Sequence, residues 1–227
     1  MNESATVPAE LSAADTAAVS DALDMLRLDG CVPGLRHLSG RGFVAGPAFT
    51  VRFEPVREGE AGPAGDFLDD VPAGAVVVVA NSGRTEATVW GDVLSRVARH
   101  RGVAGTVIDG VCRDVGGSRE VGHPLWARGV FMRSGKNRVR LREVGGVVEV
   151  GGVRVAPGDL VCADESGVVV VPRDRAAEVA RLVADIRDRE ERIVAAVLAG
   201  QSLAAARQEF GYHELSRPVE RSRPGTA

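Results

Sequence analysis

The chain has 227 residues, enough to bury its own core as one domain or at most two small ones. It is 44% hydrophobic and 26% charged with a net charge of −3, so it lacks the excess of Lys and Arg that nucleic-acid binding needs. It shows no apolar run long enough to cross a bilayer and no secretory signal, and its three cysteines never form a CxxC, so we expect a cytoplasmic protein without nucleic-acid or membrane partners.

The first elements predicted along the chain are a helix, a loop and a strand. Apolar residues at helical spacing predict a helix over Leu11 to Arg27, with Ser12 as its cap and Asp15 three residues on. The stretch "CVPGLRHLSGRG" is typical of a loop. The stretch "FVAGPAFTVRFEP" predicts a strand that is broken at Gly46-Pro47.

A strand, a helix and a second strand then follow within about thirty residues, which is the pattern of a βαβ crossover. The apolar run Ala75 to Asn81 predicts a buried strand. The helix is expected over Trp90 to Arg101, and "VAGTVID" predicts the next buried strand. The two strands should therefore be parallel neighbours in one sheet.

The second half is predicted to be rich in strands and to end in helices. Gly-Gly, Pro-Gly-Asp and Glu-Ser-Gly turns separate "PLWARGVFM", "VVEVGGVRV", "LVCADES" and "GVVVVP". A long helix is expected over Asp174 to Leu198 and a short one over Ser202 to Phe210. The pattern predicts one α/β domain over residues 1–210, with a core at about 19–173, a C-terminal helical arm at 174–210 and a flexible tail at 211–227.

Charged residues gather where this crossover should present a ligand site. Asp92 opens the predicted helix, and Arg113 and Asp114 follow the next strand. Both places lie at the carboxyl end of a parallel sheet, where ligands commonly bind. A carboxylate suits a hard divalent cation, and an Arg suits a carboxylate ligand. On spacing alone, the Arg113-Asp114 pair fits a solvated surface ion pair equally well.

With twenty residues between Asp92 and Arg113-Asp114, the pattern resembles that of class II pyruvate aldolases. These are the 4-hydroxy-4-methyl-2-oxoglutarate / 4-carboxy-4-hydroxy-2-oxoadipate aldolases, which share a superfamily with the regulator of ribonuclease E activity A. The stretches that carry the resemblance are "VSDALD", "GVAGTVIDGVCRD", "HPLWARG" and "VAPGDLVCADESGVVVVP". The resemblance covers roughly Val19 to Leu198.

The resemblance implies a ββα sandwich of the swivelling phosphohistidine-domain type, assembled as a trimer or hexamer with its sites between subunits. It implies a lyase that depends on Mg²⁺ or Mn²⁺ and releases pyruvate from a 2-oxo acid, by retro-aldol cleavage of a 4-hydroxy-2-oxo diacid or by decarboxylation of oxaloacetate. The small-molecule 2-oxo acid and further copies of the chain are the implied partners.

The resemblance also implies a role for each site residue. Asp114 binds the metal, Asp92 holds a metal-bound water, and Arg113 binds the pyruvate carboxylate and the oxygen near the scissile bond. An acidic residue from the neighbouring subunit's C-terminal region completes the water shell, with Glu190 or Glu191 as the matching position. The carboxylate pocket is completed by backbone amides of Gly91, Asp92, Val93 and Leu94.

One departure from the family pattern keeps a second function open. Many relatives carry an acidic residue two or three places after the Arg-Asp pair, where this chain has Gly116-Gly117. A carboxylate missing there affects the metal's water shell or the acid–base chemistry. The alternative is a non-catalytic interaction protein of the ribonuclease-regulator type. The long C-terminal arm fits the aldolase branch better.

The remaining polar residues have plainer interpretations. Asp109, Asp159 and Asp164 are predicted to fix turns, and Cys112 to be a packed thiol. The single lysine, Lys136, lies in a loop, which disfavours a Schiff-base aldolase. The face formed by Arg138, Arg140 and Arg142 is either a solvated edge strand, which is favoured, or a surface for an anionic partner.

Overall fold

The computed structural model describes residues 7–12, 14–57 and 65–214. The described helices are α1 (Ala9–Ser12), α2 (Thr16–Leu26), α3 (Asp92–His100), α4 (Val115–Val121), α5 (Ala176–Leu198) and α6 (Leu203–Glu209). The described strands are β1 (Cys31–Val32), β2 (Arg36–Ser39), β3 (Val44–Pro55), β4 (Val76–Thr88), β5 (Gly105–Cys112), β6 (Leu125–Val130), β7 (Val139–Val144), β8 (Val148–Val150), β9 (Val153–Val155), β10 (Leu160–Ala163) and β11 (Val168–Val171).

Nine of these strands form one mixed sheet in the order β1-β11-β10-β3-β4-β5-β6-β2, with β7 paired to the far end of β3. Strands β3 to β6 are parallel to one another, and the outer strands are antiparallel to their neighbours. Strands β8 and β9 form a separate hairpin. The mixed α/β fold and the parallel βαβ unit predicted from the sequence are both confirmed.

The central strands are buried on both faces, which explains their continuous apolar runs. Along β4, Val77 and Val79 pack beneath α3 and α4, whereas Val76 and Val78 pack in a second cluster that includes residues of the β8-β9 hairpin. A third apolar cluster joins α2 and α5 to β10 and β11. The sheet therefore holds α3 and α4 on one face, at the end where the charged residues lie.

The N-terminal helix differs from its prediction in both extent and cap. The structure has two helices, α1 and α2, and the cap of α2 is Asp15, whose Oδ1 accepts a hydrogen bond from the backbone N–H of Ala18 at 2.8 Å. Ser12 instead donates its hydroxyl to the Pro8 carbonyl. Asp15 is extended at φ −122° and ψ 165°, so the chain leaves the helical conformation there and Ser12 cannot cap α2.

Two other local predictions were wrong. Strand β3 runs unbroken through Gly46-Pro47, because Pro47 pairs with an antiparallel neighbour in β10 and the missing side chain of Gly46 admits the Gly74 carbonyl. The stretch predicted as a loop after α2 contains β1 and β2. Helix α4 was not predicted, since Gly116-Gly117 interrupts any helical pattern in its seven residues.

The helical arm matches its prediction closely. Helix α5 begins two residues later than expected, after a short 3-10 helix over Arg173–Arg175, and α6 follows it. A further 3-10 helix at Tyr212–Glu214 shows that the predicted tail begins with ordered backbone, and residues 215–227 lie outside the described residues. Within the described ranges, none of the helices combines the length and apolarity needed to span a membrane.

Candidate active site

A cleft of about 330 Å³ opens at the carboxyl ends of β4 and β5. Its lining includes Asp92, Arg113 and Asp114, which the structure thus brings together as the sequence predicted. The remaining lining residues come from β3, β7 and the loops beside them as well as from α3: Phe53, Gly65, Asp66, Thr88, Val89, Trp90, Gly91, Val93, Leu94, Ser134, Gly135, Lys136 and Val139.

Arg113 and Asp114 form the short link between β5 and α4. The Arg113 N–H donates to the Trp90 carbonyl at 3.0 Å, which ties this link to the loop before α3. Asp114 adopts a left-handed backbone (φ 55°, ψ 36°), a conformation that non-glycine residues rarely take and that clusters at functional sites. Its side chain is 46% exposed, makes no helix-capping hydrogen bond, and has Oδ2 at 3.3 Å from Arg113 Nε.

The start of α3 offers unpaired backbone donors to the same cleft. The N–H groups of residues 92–94 lie in the first turn of the helix and therefore have no partner inside it. Gly91, which precedes the helix, has no side chain that could cap them. The Gly91 position is tight, since a Cβ there would lie 3.0 Å from Oδ2 of Asp114. These open N–H groups at a helix N-terminus are suited to an anionic ligand.

A buried hydroxyl pair fixes α3 against α4. The indole Nε1 of Trp90 donates to Ser95 Oγ at 2.9 Å, and Ser95 Oγ lies 2.7 Å from Ser118 Oγ. Both serines are fully buried and Trp90 nearly so. Because Ser95 lies in α3 and Ser118 in α4, this chain of hydrogen bonds sets the spacing between Asp92 at the start of one helix and Asp114 before the other.

The two glycines of α4 have different surroundings. A Cβ on Gly117 would lie 2.6 Å from Asp92 Cβ and 3.1 Å from Asp92 Oδ2, whereas a Cβ on Gly116 would meet nothing within 4 Å. The absence of a side chain at Gly117 therefore lets Asp92 lie directly on α4. Gly117 is one of the two glycines that stand where many relatives carry an acidic residue. Its contact with Asp92 is a physical reason for a glycine at that position.

We expect Gly117→Ala to lower the free energy of unfolding by about 1–3 kcal/mol through overpacking and to displace Asp92. Gly116→Ala is the matched control, and its gain in helix propensity should raise stability by about 0.5–1 kcal/mol. Urea unfolding of both variants measures the difference. Equal effects of the two substitutions would show that Asp92 does not pack on α4.

His123, to which the sequence assigned no role, lies behind the site. It is fully buried, its ring stacks on Trp90 with centroids 6.0 Å apart, and its Nε2 is 2.9 Å from Thr106 Oγ1. Burial, with a smaller contribution from Arg99, lowers the pKa of His123 to about 4. The native state therefore holds this imidazole neutral.

The buried His123 should make stability fall in acid. The unfolded chain takes up the proton below its ordinary pKa of about 6.5, while the native chain resists it until about pH 4. The stabilisation is thus complete above pH 6.5 and is lost as the pH falls towards 4. Between pH 7.5 and 4.5 we expect the wild type to lose about 2.5 kcal/mol more than His123→Gln in urea unfolding. Parallel losses would mean that the native His123 is already charged or hydrated.

Glu190 and Glu191 are not brought to the cleft within one chain. Both lie on α5, and Glu191 is exposed with its carboxylate 3.9 Å from Arg187. Burial raises the pKa of Glu190, and Asp15 and Asp21 add to the rise, which places this carboxyl near α2. Their predicted contribution from a neighbouring subunit stays a prediction.

Several secondary predictions can be compared with the structure. Asp109 was predicted to fix a turn but lies inside β5, where Oδ1 accepts from Arg128 Nε at 2.5 Å. Asp159 and Asp164 do accept backbone N–H bonds in turns, as predicted. Cys112 is a packed thiol, and its burial raises its pKa to about 11.

The arginine face also has a plain explanation. Strand β7 pairs only with β3 among the described strands. Arg140 and Arg142 both lie beside the Glu54 carboxylate, at 2.8 and 3.6 Å, and Arg138 donates to loop carbonyls. These contacts fit the solvated edge strand that the sequence favoured.

Sequence patterns missed the wall of the cleft that comes from β3, β7 and the loop before β7. Phe53 and Val139 belong to strands whose pairing begins about 85 residues apart in the chain, so no local pattern joins them. Lys136 was noted only as the single lysine. The signal that could have indicated this wall is the glycine of the "SGK" loop, since a glycine permits a close approach to another strand.

No group of three or more His, Cys, Asp or Glu side chains able to hold a metal ion occurs in the part of the chain that the structure describes. The cleft lining includes three carboxylates, on Asp66, Asp92 and Asp114, and the last two, at the start of α3 and before α4, are 35% and 46% exposed. Such a donor set suits a hard cation that keeps most of its water ligands, and it does not suit zinc.

Comparison with known proteins decides the family. The model of a family described as RraA-like, Aldolase/RraA, matches residues 16–170. The chain belongs to the RraA-like family. The matched region contains the whole βαβ unit, both helices at the cleft and the strands that follow, and the family includes aldolases as well as ribonuclease regulators.

Three relatives show the extent of the likeness. Protein DlpA of Legionella pneumophila is 37% identical over 93% of this chain, but the chain spans only 35% of that protein's length. A Halalkalibacterium halodurans protein named "Putative 4-hydroxy-4-methyl-2-oxoglutarate aldolase" is 30% identical over 70% of this chain and 72% of its own. The crystal structure of Streptomyces coelicolor RraAS2, described as an unusual member of the RNase ES inhibitor RraA protein family, is 34% identical with a TM-score of 0.73 over 80% of this chain and 92% of its own.

Proposed function

We propose that the protein is a divalent-metal-dependent lyase that cleaves a carbon–carbon bond in a 2-oxo acid and releases pyruvate. The observation that carries the proposal is the convergence of Asp92, Arg113, Asp114 and the open N–H groups of α3 on one cleft. The aldolase name of one relative supports the same reaction class. A cytoplasmic location and the ββα sandwich of the swivelling phosphohistidine-domain type are parts of this proposal.

The residues of the cleft fit Mg²⁺ or Mn²⁺ as the cofactor. Asp114 would hold the ion, because its carboxylate is half exposed and has no capping bond to compete. Asp92 would hold water beside it. The ion would supply Lewis-acid stabilisation of negative charge on the 2-oxo oxygen, an effect worth several kcal/mol.

Arg113 and the start of α3 bind and orient the substrate in this proposal. The planar guanidinium of Arg113 gives two parallel donors to a carboxylate or to the oxygen beside the scissile bond. The N–H groups of residues 92–94 receive the 2-oxo acid's carboxylate at the positive end of the helix dipole. Retro-aldol cleavage breaks the C3–C4 bond as the C4 hydroxyl loses its proton and becomes a carbonyl. Water held by Asp92 would take up that proton and return one to C3.

The test is metal-dependent pyruvate release. Protein treated with EDTA and protein reloaded with Mg²⁺ are assayed with oxaloacetate and with a panel of 4-hydroxy-2-oxo acids. Reloading should restore pyruvate release that EDTA removes. A reloaded protein that releases no pyruvate from any member of the panel is not this lyase.

A second candidate function is regulation of a ribonuclease. The observation that favours it is the glycine pair of α4, which leaves the first turn of that helix without the acidic residue that many relatives carry there. The name of the Streptomyces relative points the same way. Pull-down of a ribonuclease from lysate, together with no metal binding by calorimetry, would favour this candidate.

The proposal includes a homotrimer or hexamer with sites between subunits. The cleft is open to solvent and Val93 on its rim is 68% exposed, so a second chain has room to approach. Glu190 or Glu191 of that second chain is the proposed acidic contributor. Analytical ultracentrifugation of the wild type measures the oligomeric state, and a monomer at working concentrations would exclude this part of the proposal.

A further inference from the structure

Two acidic residues of the cleft, Asp92 and Asp114, stand at the starts of α3 and α4, and a buried pair of hydroxyls lies between these helices. Ser95 Oγ in α3 is 2.7 Å from Ser118 Oγ in α4, and both serines are fully buried. Ser95 Oγ also accepts the indole N–H of Trp90 at 2.9 Å, since an indole nitrogen can only donate. The hydroxyl pair therefore joins both helices to the loop that precedes α3.

Each serine lies one helical turn from the acidic residue of its own helix. The Ser118 N–H donates to the Asp114 carbonyl at 3.3 Å. The Ser95 N–H donates at 3.1 Å to the carbonyl of Gly91, the residue before Asp92. Because a helical turn is rigid, a change in the spacing of the two hydroxyls is passed to the backbone beside both carboxylates.

The network closes behind the cleft through His123 and Trp90. The His123 N–H donates to the Ser118 carbonyl at 3.2 Å, and the His123 ring stacks on Trp90 with centroids 6.0 Å apart. The Trp90 carbonyl accepts the N–H of Arg113 at 3.0 Å. The link that carries Arg113 and Asp114 is thus attached to the same buried group of residues.

Stability alone does not account for two hydroxyls in this place. Helices α3 and α4 pack on the apolar cluster that contains Trp90, Ala98 and Val115. In such surroundings a hydrogen-bonded pair of polar groups contributes about as much as two apolar groups of the same shape. A hydrogen bond differs from an apolar contact because it fixes a distance and a direction. The serine pair is therefore suited to holding a geometry.

A second link between the two helices runs over the surface. Arg96 of α3 lies 2.8 Å from the Glu120 carboxylate of α4 and 3.6 Å from that of Asp92. The side chains of Arg96 and Glu120 are exposed, so water and salt weaken this link. The buried link between the serines is the one whose geometry the surroundings fix.

We propose that Ser95 and Ser118 are positioning residues of the metal site, whose hydrogen bond holds α3 against α4 so that Asp92 and Asp114 act on one divalent cation. This inference rests on the proposed function and adds to it two residues that touch neither cation nor substrate. Groups that orient the residues around a metal through hydrogen bonds change metal affinity by about tenfold to a hundredfold when they are removed.

Mn²⁺ titration followed by electron paramagnetic resonance tests the inference without turnover. Ser118→Ala keeps the bond from Trp90 to Ser95 and should weaken Mn²⁺ binding about tenfold. Ser95→Ala breaks both bonds and should weaken it at least as much. The double variant should bind no more weakly than Ser95→Ala, because either single change already removes the pair contact. Binding by Ser118→Ala within about twofold of the wild type, or losses that multiply in the double variant, would overturn the inference.

Two controls separate positioning from a loss of stability or of surface charge. Val103→Ala opens a cavity in the apolar cluster on which α3 packs, so it should lower the melting temperature and leave Mn²⁺ affinity unchanged. Glu120→Gln weakens the exposed link and should leave Mn²⁺ affinity unchanged as well. A loss in Val103→Ala equal to that in Ser118→Ala would make the serines general stabilisers, and an equal loss in Glu120→Gln would assign positioning to the surface link.

Turnover separates this inference from the lyase function. In Ser118→Ala the half-saturating Mg²⁺ concentration for pyruvate release should rise about tenfold, while KM for oxaloacetate at saturating Mg²⁺ should change less than about twofold. A wild type that releases no pyruvate but loses Mn²⁺ affinity in Ser118→Ala contradicts the lyase and supports the positioning pair. Pyruvate release with unaltered Mn²⁺ binding in Ser118→Ala contradicts the positioning pair alone. A wild type that binds no Mn²⁺ overturns both.

Discussion

Asp114→Asn should abolish pyruvate release, with turnover falling by about three orders of magnitude or more, because the change removes the charge that holds the metal ion. Asparagine keeps the size of the side chain and tolerates the left-handed backbone at φ 55°. The lost contact to Arg113 is a half-exposed ion pair, which contributes little to stability. The melting temperature should therefore stay within a few degrees of the wild type. Steady-state turnover and thermal unfolding measure the two effects.

Glu120→Gln is the control for Asp114→Asn. Glu120 is on α4, close to the site in sequence, and its exposed carboxylate pairs with Arg96 at 2.8 Å without lining the cleft. The substitution removes one carboxylate and should leave turnover unchanged. If Asp114→Asn retains a tenth or more of wild-type turnover, Asp114 is not the metal anchor.

Arg113→Lys should reduce turnover by about two orders of magnitude, the scale of losing an oxyanion donor. Lysine keeps the positive charge but has no planar pair of donors for a carboxylate. The Arg113 side chain is 38% exposed and makes one side-chain contact at 3.3 Å, so the folded state loses little. The melting temperature should be near normal, and the loss should appear mainly in kcat/KM.

Arg101→Lys provides the comparison for Arg113→Lys. Arg101 follows α3 and pairs with Asp69, away from the cleft. Its substitution should leave turnover per folded molecule unchanged. The opposite pattern at Arg113, with a lowered melting temperature and normal turnover, would make Arg113-Asp114 a structural ion pair at a turn.

Much of the fold was predictable because its signals are local. Strand β4 begins with a run of apolar residues, and the helix after it has a clear amphipathic spacing, so the parallel βαβ unit followed directly. That unit alone places Asp92 beside Arg113 and Asp114, because the start of a helix and the end of the next parallel strand lie on one edge of a sheet. The core of the candidate site was therefore visible in the sequence.

The unpredicted parts depend on contacts between distant segments. Helix α4 is held by the buried Ser95 and Ser118 hydroxyls, and no helix propensity in its glycine pair indicates it. The wall that carries Lys136 exists because β7 pairs with β3 and because Gly135, having no side chain, leaves room for the Thr88 carbonyl. Neither pairing has a period or spacing that one stretch of sequence can show.

Mn²⁺ binding followed by electron paramagnetic resonance is the most direct measurement of a metal-dependent pyruvate site. The wild type should bind Mn²⁺, and pyruvate should tighten that binding, because a ligand that contacts both the ion and the protein couples the two equilibria. In Asp114→Asn both the binding and the effect of pyruvate should be lost. Unchanged Mn²⁺ affinity in Asp114→Asn, or wild-type affinity that pyruvate does not alter, would contradict a metal-dependent pyruvate site in this cleft.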